Sequence, residues 1–312
     1  MLWVVAVLGN LVSGCISSLI DSFLGNNRYQ SANAQAFFSS MISLVPLPLI
    51  FLTGAVALVA PVQLGCFWLL GTLEVVSLNC YVRSVKVEDA SVCNSLYGLS
   101  RVFTVILAFF LLGEVFSLPT YLGIFLIVLS GFFLCVKENK AVATHPPFTF
   151  YSGRLRLSPA LWLVGFSSLL DAFASVLTRQ MVLEVHWLNA LFWTNLGSVV
   201  TYLLIFLFFG HFRKEILAEK QLVRFTWRHF LSNEVICLFS AACAFYAYSQ
   251  APASIVRALF GLSPLFTILV AWAGQSFFKK AWREDLGHVQ LRHKLFWMVL
   301  MLVGCYLIVS RV

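Results

Sequence analysis

The sequence predicts an all-α polytopic membrane protein, with ten transmembrane helices arranged as two inverted five-helix repeats. Composition, ten long apolar stretches and an internal duplication lead to this reading. Of 312 residues, 60% are hydrophobic and 11% charged, against about 25% charged in an ordinary soluble domain. With 30 Phe and 9 Trp as well, too little polar surface remains to face water. A soluble globular enzyme, a disordered chain and a nucleic-acid binder are therefore excluded. The net charge of +8 reports orientation in a bilayer and needs no nucleic-acid partner.

A helix that crosses a bilayer needs roughly 20 apolar residues. Ten stretches qualify, at 2–23, 34–57, 62–83, 89–113, 117–137, 158–180, 187–209, 230–250, 251–277 and 293–311. They are too long and too uniformly apolar for barrel strands, which alternate every second residue. In the first, Val12-Ser13-Gly14-Cys15 resembles a lipoprotein cleavage box. No Lys or Arg precedes it and nine more spans follow, so an uncleaved first helix is expected. Pro46 and Pro48 should kink the second span without ending it. Residues 138–157 contain a Pro pair and divide a first repeat, 1–137, from a second, 158–312. Residues 210–229 and 278–292 read as basic loops. All eight cysteines lie within spans and no C-x-x-C spacing occurs, so neither disulfide, metal nor cofactor is expected.

With ten spans both termini share one face. Loops of the opposite face hold 17 Lys and Arg, whereas the terminal face holds two, Arg179 and Arg311. The positive-inside rule then places both termini outside the cytoplasm. The lean loops point to a bacterial plasma (inner) membrane.

The fourth span reads ASVCNSLYGLSRVFTVILAF from Ala90 and the ninth ASIVRALFGLSPLFTILVAW from Ala253. At a constant offset of 163, nine of twenty positions are identical. Because each half has an odd number of helices, the second copy enters from the opposite face. Inverted repeats of this kind are a mark of secondary transporters, which hold substrate near the midplane between the copies.

The run from Ala90 through Leu112-Gly113-Glu114, followed by Gly123 to Gly131, resembles the EamA-type repeat of the drug/metabolite transporter superfamily. The second copy carries Leu262-Ser263-Pro264-Leu265-Phe266 with the family's proline at Pro264. The resemblance implies five plus five helices and a cargo among amino acids, nucleotide-linked sugars, drugs and other metabolites. Three features depart from the family pattern. Arg101 stands where the first repeat commonly has proline, Gly274-Gln275 replaces Gly-Glu, and the charge count reverses the common orientation.

Four ionisable residues sit well inside spans: Glu74, Arg101, Asp171 and Arg257. Each costs about 2.5–3.5 kcal/mol at the bilayer centre on insertion scales, so each must face a partner or a wet cavity. At ~1.5 Å per residue all four fall near the middle of a ~30 Å core. Ser91, Asn94, Gly98 and Arg101 share one helical stripe, as do Ser168, Asp171, Ser175 and Thr178, and Ser254, Arg257, Gly261 and Pro264. At offset 157, Leu11, Gly14, Ser18 and Asp21 of the first span match Ser168, Asp171, Ser175 and Thr178 of the sixth. Glu74, Asn94, Tyr97, Arg101, Asp171 and Arg257 are therefore the candidate substrate-binding residues. Two readings stay open for the charges: solute-binding groups, or static Glu74–Arg101 and Asp171–Arg257 bridges. Glu114 reads as a helix-end or gate residue, Asp21 as a possible water-boundary marker, and Glu234 as a solvated residue at the start of the eighth span.

The expected function is alternating-access transport of a small charged metabolite, coupled to a proton or to exchange, by a monomer or homodimer. A lipid translocator or a non-transporting accessory protein is the alternative. A membrane-embedded enzyme is disfavoured, since no nucleophile–base pair or metal triad falls within the spans.

Overall fold

The structure, a computed structural model, describes residues 2–27, 29, 31–85, 97–135, 148–151, 154–157, 159–263, 265–266 and 288–310. Its helices are α1 (Leu2–Asn27), α2 (Ala32–Ile42), α3 (Pro48–Phe51), α4 (Pro61–Val85), α5 (Leu99–Leu112), α6 (Leu118–Cys135), α7 (Pro159–Glu184), α8 (Trp187–Phe208), α9 (Gly210–Gln250), α10 (Ala253–Leu259) and α11 (His288–Val309). Among the described residues, three segments are long and apolar enough to cross a membrane: Pro61–Ser84, Trp187–Phe208 and Gly210–Gln250. Shorter apolar helical segments are Leu2–Ser18, Leu99–Leu112, Leu118–Ser130, Ala253–Leu262 and Phe296–Val309. The chain is a predominantly α-helical, multi-pass membrane protein.

The structure corrects four local expectations. The second span is broken, not merely kinked: α2 ends at Ile42, and residues 43–47 turn before α3 begins at Pro48. Proline supplies no backbone N–H to the α-helical ladder. Tighter bonds take over, from Val45 N to Ile42 O at 2.9 Å and from Leu49 N to Pro46 O at 3.0 Å. Residues 210–229 are not a loop but the first half of α9, a 41-residue helix. At 1.5 Å per residue it is about 60 Å long, twice a ~30 Å bilayer core. After Gly210 it contains neither Gly nor Pro, and Phe212, Ile216 and Phe230 are buried along its packed side. Glu234 consequently lies deep within a helix and is buried, where solvent exposure was expected. The linker, finally, holds a hairpin, β1 (Phe148–Tyr151) paired antiparallel with β2 (Arg154–Leu157), with Phe148 opposite Leu157 and Tyr151 opposite Arg154.

The chain forms two compact units. The first comprises Met1–Val75, Leu177–Pro252 and Phe266–Arg283. Here α1 packs along α9, which also contacts α2 and α8. Leu24, Tyr29, Ala34, Phe37, Val75, Tyr202, Phe212, Ile216 and Phe230 make its aromatic-rich core. The Tyr29 hydroxyl lies 2.8 Å from that of Thr226, which keeps the buried phenol satisfied. Close approach of α4 and α8 depends on Gly71, where a Cβ would fall 2.3 Å from Ser198 N.

The second unit comprises Val76–Val176, Ala253–Leu265 and Glu284–Val312. Its long packed pair is α6 with α11. They cross at Gly123 and Gly304: a Cβ on either would fall 2.7 or 2.8 Å from the other's carbonyl oxygen. Small residues of this kind let membrane helices approach backbone to backbone.

One polar clasp occurs in each unit. In the first, Asn10 Nδ2 donates to Ser240 O at 2.9 Å and Ser240 Oγ donates to Asn10 O at 3.2 Å. In the second, Ser167 Oγ donates to Ser77 O at 2.8 Å and Ser77 Oγ donates to Ser167 O at 3.0 Å. The offsets of 157 and 163 read from the sequence carry Asn10 onto Ser167 and Ser77 onto Ser240.

Candidate functional site

Four of the six candidate residues fall in the second unit, on three elements. Tyr97 and Arg101 stand at the start of α5, Asp171 in the middle of α7, and Arg257 in α10. Arg257 Nη2 is ion-paired with Asp171 Oδ2, and the two side chains are 17% and 20% exposed. Arg257 Nη2 also donates to Ser100 Oγ at 3.4 Å. Ser175 Oγ, one turn after Asp171, donates to its carbonyl oxygen at 2.9 Å. The Asp171–Arg257 pair expected from the depth arithmetic is thus present.

Arg101 is held close by a missing side chain. A Cβ at Gly261 would meet Arg101 Nε at 3.2 Å and Ile127 Cγ2 at 2.6 Å. The bare Gly261 backbone therefore admits both the guanidinium stem and α6. Tyr97 lies within electrostatic reach of Arg257 and Arg101, and its ring is 5.0 Å from that of Tyr81 at 55°. Two guanidiniums, one carboxylate and a phenol thus meet on one side of this unit. Such a group carries a net positive charge and offers planar donor forks, the chemistry that recognises a carboxylate or phosphate.

Glu74 belongs to the first unit. It is exposed on α4, one turn beyond the Gly71 crossing, and its Oε2 lies 3.5 Å from Ser198 Oγ. Asn94 and Pro264 lie outside the described residues. Ser100 was not among the candidates, although its repeat counterpart, Ser263, signals it at offset 163.

The Gly113-Glu114 pair has a defined structural task. Gly113 ends α5 in the left-handed conformation, φ 66°, which glycine adopts without steric cost. The turn brings Glu114 to the start of α10. Its Oε1 accepts from Ala253 N at 2.8 Å, and its Oε2 accepts from Ser254 N at 3.1 Å and Ser254 Oγ at 2.6 Å. A carboxylate satisfies otherwise unpaired amides and complements the helix dipole. The helix that carries Arg257 is thereby tethered to the end of the helix that carries Ser100 and Arg101.

The first unit holds a second polar group that the sequence did not reveal. Asp21 Oδ1 accepts from Asn233 Nδ2 at 2.9 Å, Gln35 Nε2 donates to the Asp21 carbonyl at 3.0 Å, and Ser39 Oγ donates to Glu234 Oε1. Asn233 carries no signal in the sequence, because a helix that starts near Glu234 would leave it in solvent.

Among solved structures, one crystal structure of a protein aligns with 97% of this chain and 98% of its own at a TM-score of 0.63 and 14% sequence identity. That likeness shows a shared fold over the full length. No curated protein matches the chain. The model of the EamA-like transporter family matches residues 2–136. Over that segment, which ends α5 with Gly113-Glu114 and continues through α6, the chain is similar to the EamA-like transporter family.

Proposed function

We propose that this protein is a secondary transporter of a small charged organic solute, built from two inverted five-helix repeats, 1–137 and 158–312. The observation that carries the reading is the Asp171–Arg257 ion pair, flanked by Ser100, Arg101 and Tyr97 within an apolar helical unit. The match of residues 2–136 to a transporter family supports it, as does the polar clasp that recurs at the offsets read from the sequence. An anionic group on the solute displaces Asp171 from Arg257, with Arg101 adding a second fork. A cationic group takes up the carboxylate so released. Asn94 is proposed as a further member of the binding set, and Glu74 as a separate polar group of the first unit.

At rest the pair offsets its own desolvation, so an empty carrier does not hold an uncompensated charge. Solute binding exchanges one set of charge-assisted bonds for another, and release restores the first. Alternating access follows if rocking of the two repeats exposes this group to either face in turn. Both termini are placed outside the cytoplasm by the charge bias.

A thermal-shift screen of the purified protein against charged metabolites tests the binding role. A ligand at 100 times its dissociation constant stabilises by about 2.7 kcal/mol. We expect at least one anionic or zwitterionic metabolite to raise the melting temperature of wild type and not that of Arg257→Gln. A ligand that stabilises both equally removes Arg257 from the site. Selective stabilisation by phospholipids alone favours a lipid translocator.

A further inference from the structure

The buried acids of the first unit lie apart in role from the ion pair just described. Asp21 on α1 and Glu234 on α9 face one another closely enough to interact electrostatically. Asn233 is fully buried and its Nδ2 is bonded to Asp21, yet its Oδ1 has no hydrogen-bond partner among the described residues. The described ion pairs are Arg257–Asp171 and His211–Glu215, and neither includes Asp21 or Glu234. The cluster thus lacks one donor and has an excess of negative charge. A neutral carboxylic acid and a primary amide are complementary, each presenting one donor and one acceptor. A proton on the Asp21 carboxyl supplies the O–H that the Asn233 carbonyl lacks, and Ser39 already donates to Glu234.

We propose that Asp21, hydrogen-bonded to Asn233, and the neighbouring Glu234 form a proton-binding site of this transporter, separate from the solute-binding ion pair. A carboxylate takes up one proton from water to become a carboxylic acid and returns it on release, with no other reactant. The role of that proton in transport rests on the function proposed above; its binding does not. On α9 the charged residues His211, Arg213, Lys214, Glu215, Glu219, Lys220 and Arg224 lie ten or more positions before Glu234, so few other titratable groups stand near the cluster. On α1 there is Cys15; on α9, Cys237 is 2.9 Å from Ser17 Oγ, while Arg228 and His229 are exposed. From α2 the facing polar side chains, Gln35 and Ser39, do not titrate.

Infrared difference spectroscopy of the full-length protein in liposomes, recorded on a pH jump, tests this with the proton itself as probe. Wild type should show a carboxylic-acid C=O band that appears and disappears with pH. Asp171→Asn should retain it. Asp21→Asn and Glu234→Gln should each lower its amplitude at least twofold, and the double variant should abolish it. Ser39→Ala, which keeps both acids, should move the midpoint while retaining the band. A band that survives in the double variant, or is absent from folded wild type at every pH, overturns the proposal. So does a midpoint that shifts when Na⁺ is replaced by choline, which would make the site one for Na⁺. Any of these failures leaves the Arg257 ligand test untouched, so the two proposals fail separately.

Discussion

Arg257→Gln and Asp171→Asn are each expected to destabilise the protein by about 3 kcal/mol, the lower end of the cost of breaking a buried ion pair. The lower end applies because roughly a fifth of each side chain is exposed, which lets solvent screen the orphaned charge. Removing the arginine strands Asp171 beside Ser100 and the apolar faces of α7 and α10. Removing the aspartate strands Arg257, with only a 3.4 Å contact to Ser100 Oγ to compensate. The double variant carries neither charge and should recover most of the loss. Denaturant or thermal unfolding in one detergent across the four proteins measures the coupling. A coupling near zero, with losses that add, would mean the pair is not an energetic unit. The double variant also supplies a well-folded background for the ligand screen, free of the instability of either single change.

Gly304→Val should cost about 3 kcal/mol, at the upper end of the usual overpacking range. The obstacle is backbone: its Cβ would lie 2.8 Å from the carbonyl oxygen of Gly123, which no rotamer change can remove. Gly123→Val should behave alike, because its Cβ would meet Gly304 O at 2.7 Å. Either change forces α6 and α11 apart along the pair that organises the second unit. Gly165→Ala on α7 is the control, since nothing lies within 4 Å of its Cβ position. Its effect should stay within about 0.5 kcal/mol or be slightly stabilising. Melting temperatures of the three variants check the contrast. Equal tolerance of Gly304→Val and Gly165→Ala would contradict the close crossing.

Much of this was legible in the residues. Uniformly apolar runs placed α4, α6, α7 and α8 to within a few positions, because hydrocarbon solvent admits few alternatives to a helix. Charge was informative in part: of the four ionisable residues at similar depth, Asp171 and Arg257 do pair, whereas Glu74 lies against Ser198. Breaks were harder to read. Pro46 and Pro48 lie two residues apart, so the ladder loses two donors within one turn and the chain shifts to shorter-range bonds. The basic stretch before Phe230 has the polarity of a loop, and Phe212, Ile216 and Phe230 hold its helical signal. Phe148 to Leu157 alternates on both sides of Ser152-Gly153, which is a hairpin pattern overshadowed by the search for spans. Misplacing the start of α9 also hid Asn233 and Glu234 from the list of buried polar residues.

The proposed carrier requires the Asp171–Arg257 pair to lie where an aqueous solute arrives from either face of the membrane. Ser100→Cys in a variant lacking the eight native cysteines puts a thiol beside Arg257, and a charged, membrane-impermeant thiol reagent can be applied to sealed vesicles of each orientation. The account predicts labelling from both faces, slowed by any solute that binds Arg257. A thiol that resists the reagent from both faces, yet reacts fully once the protein is unfolded, would contradict it.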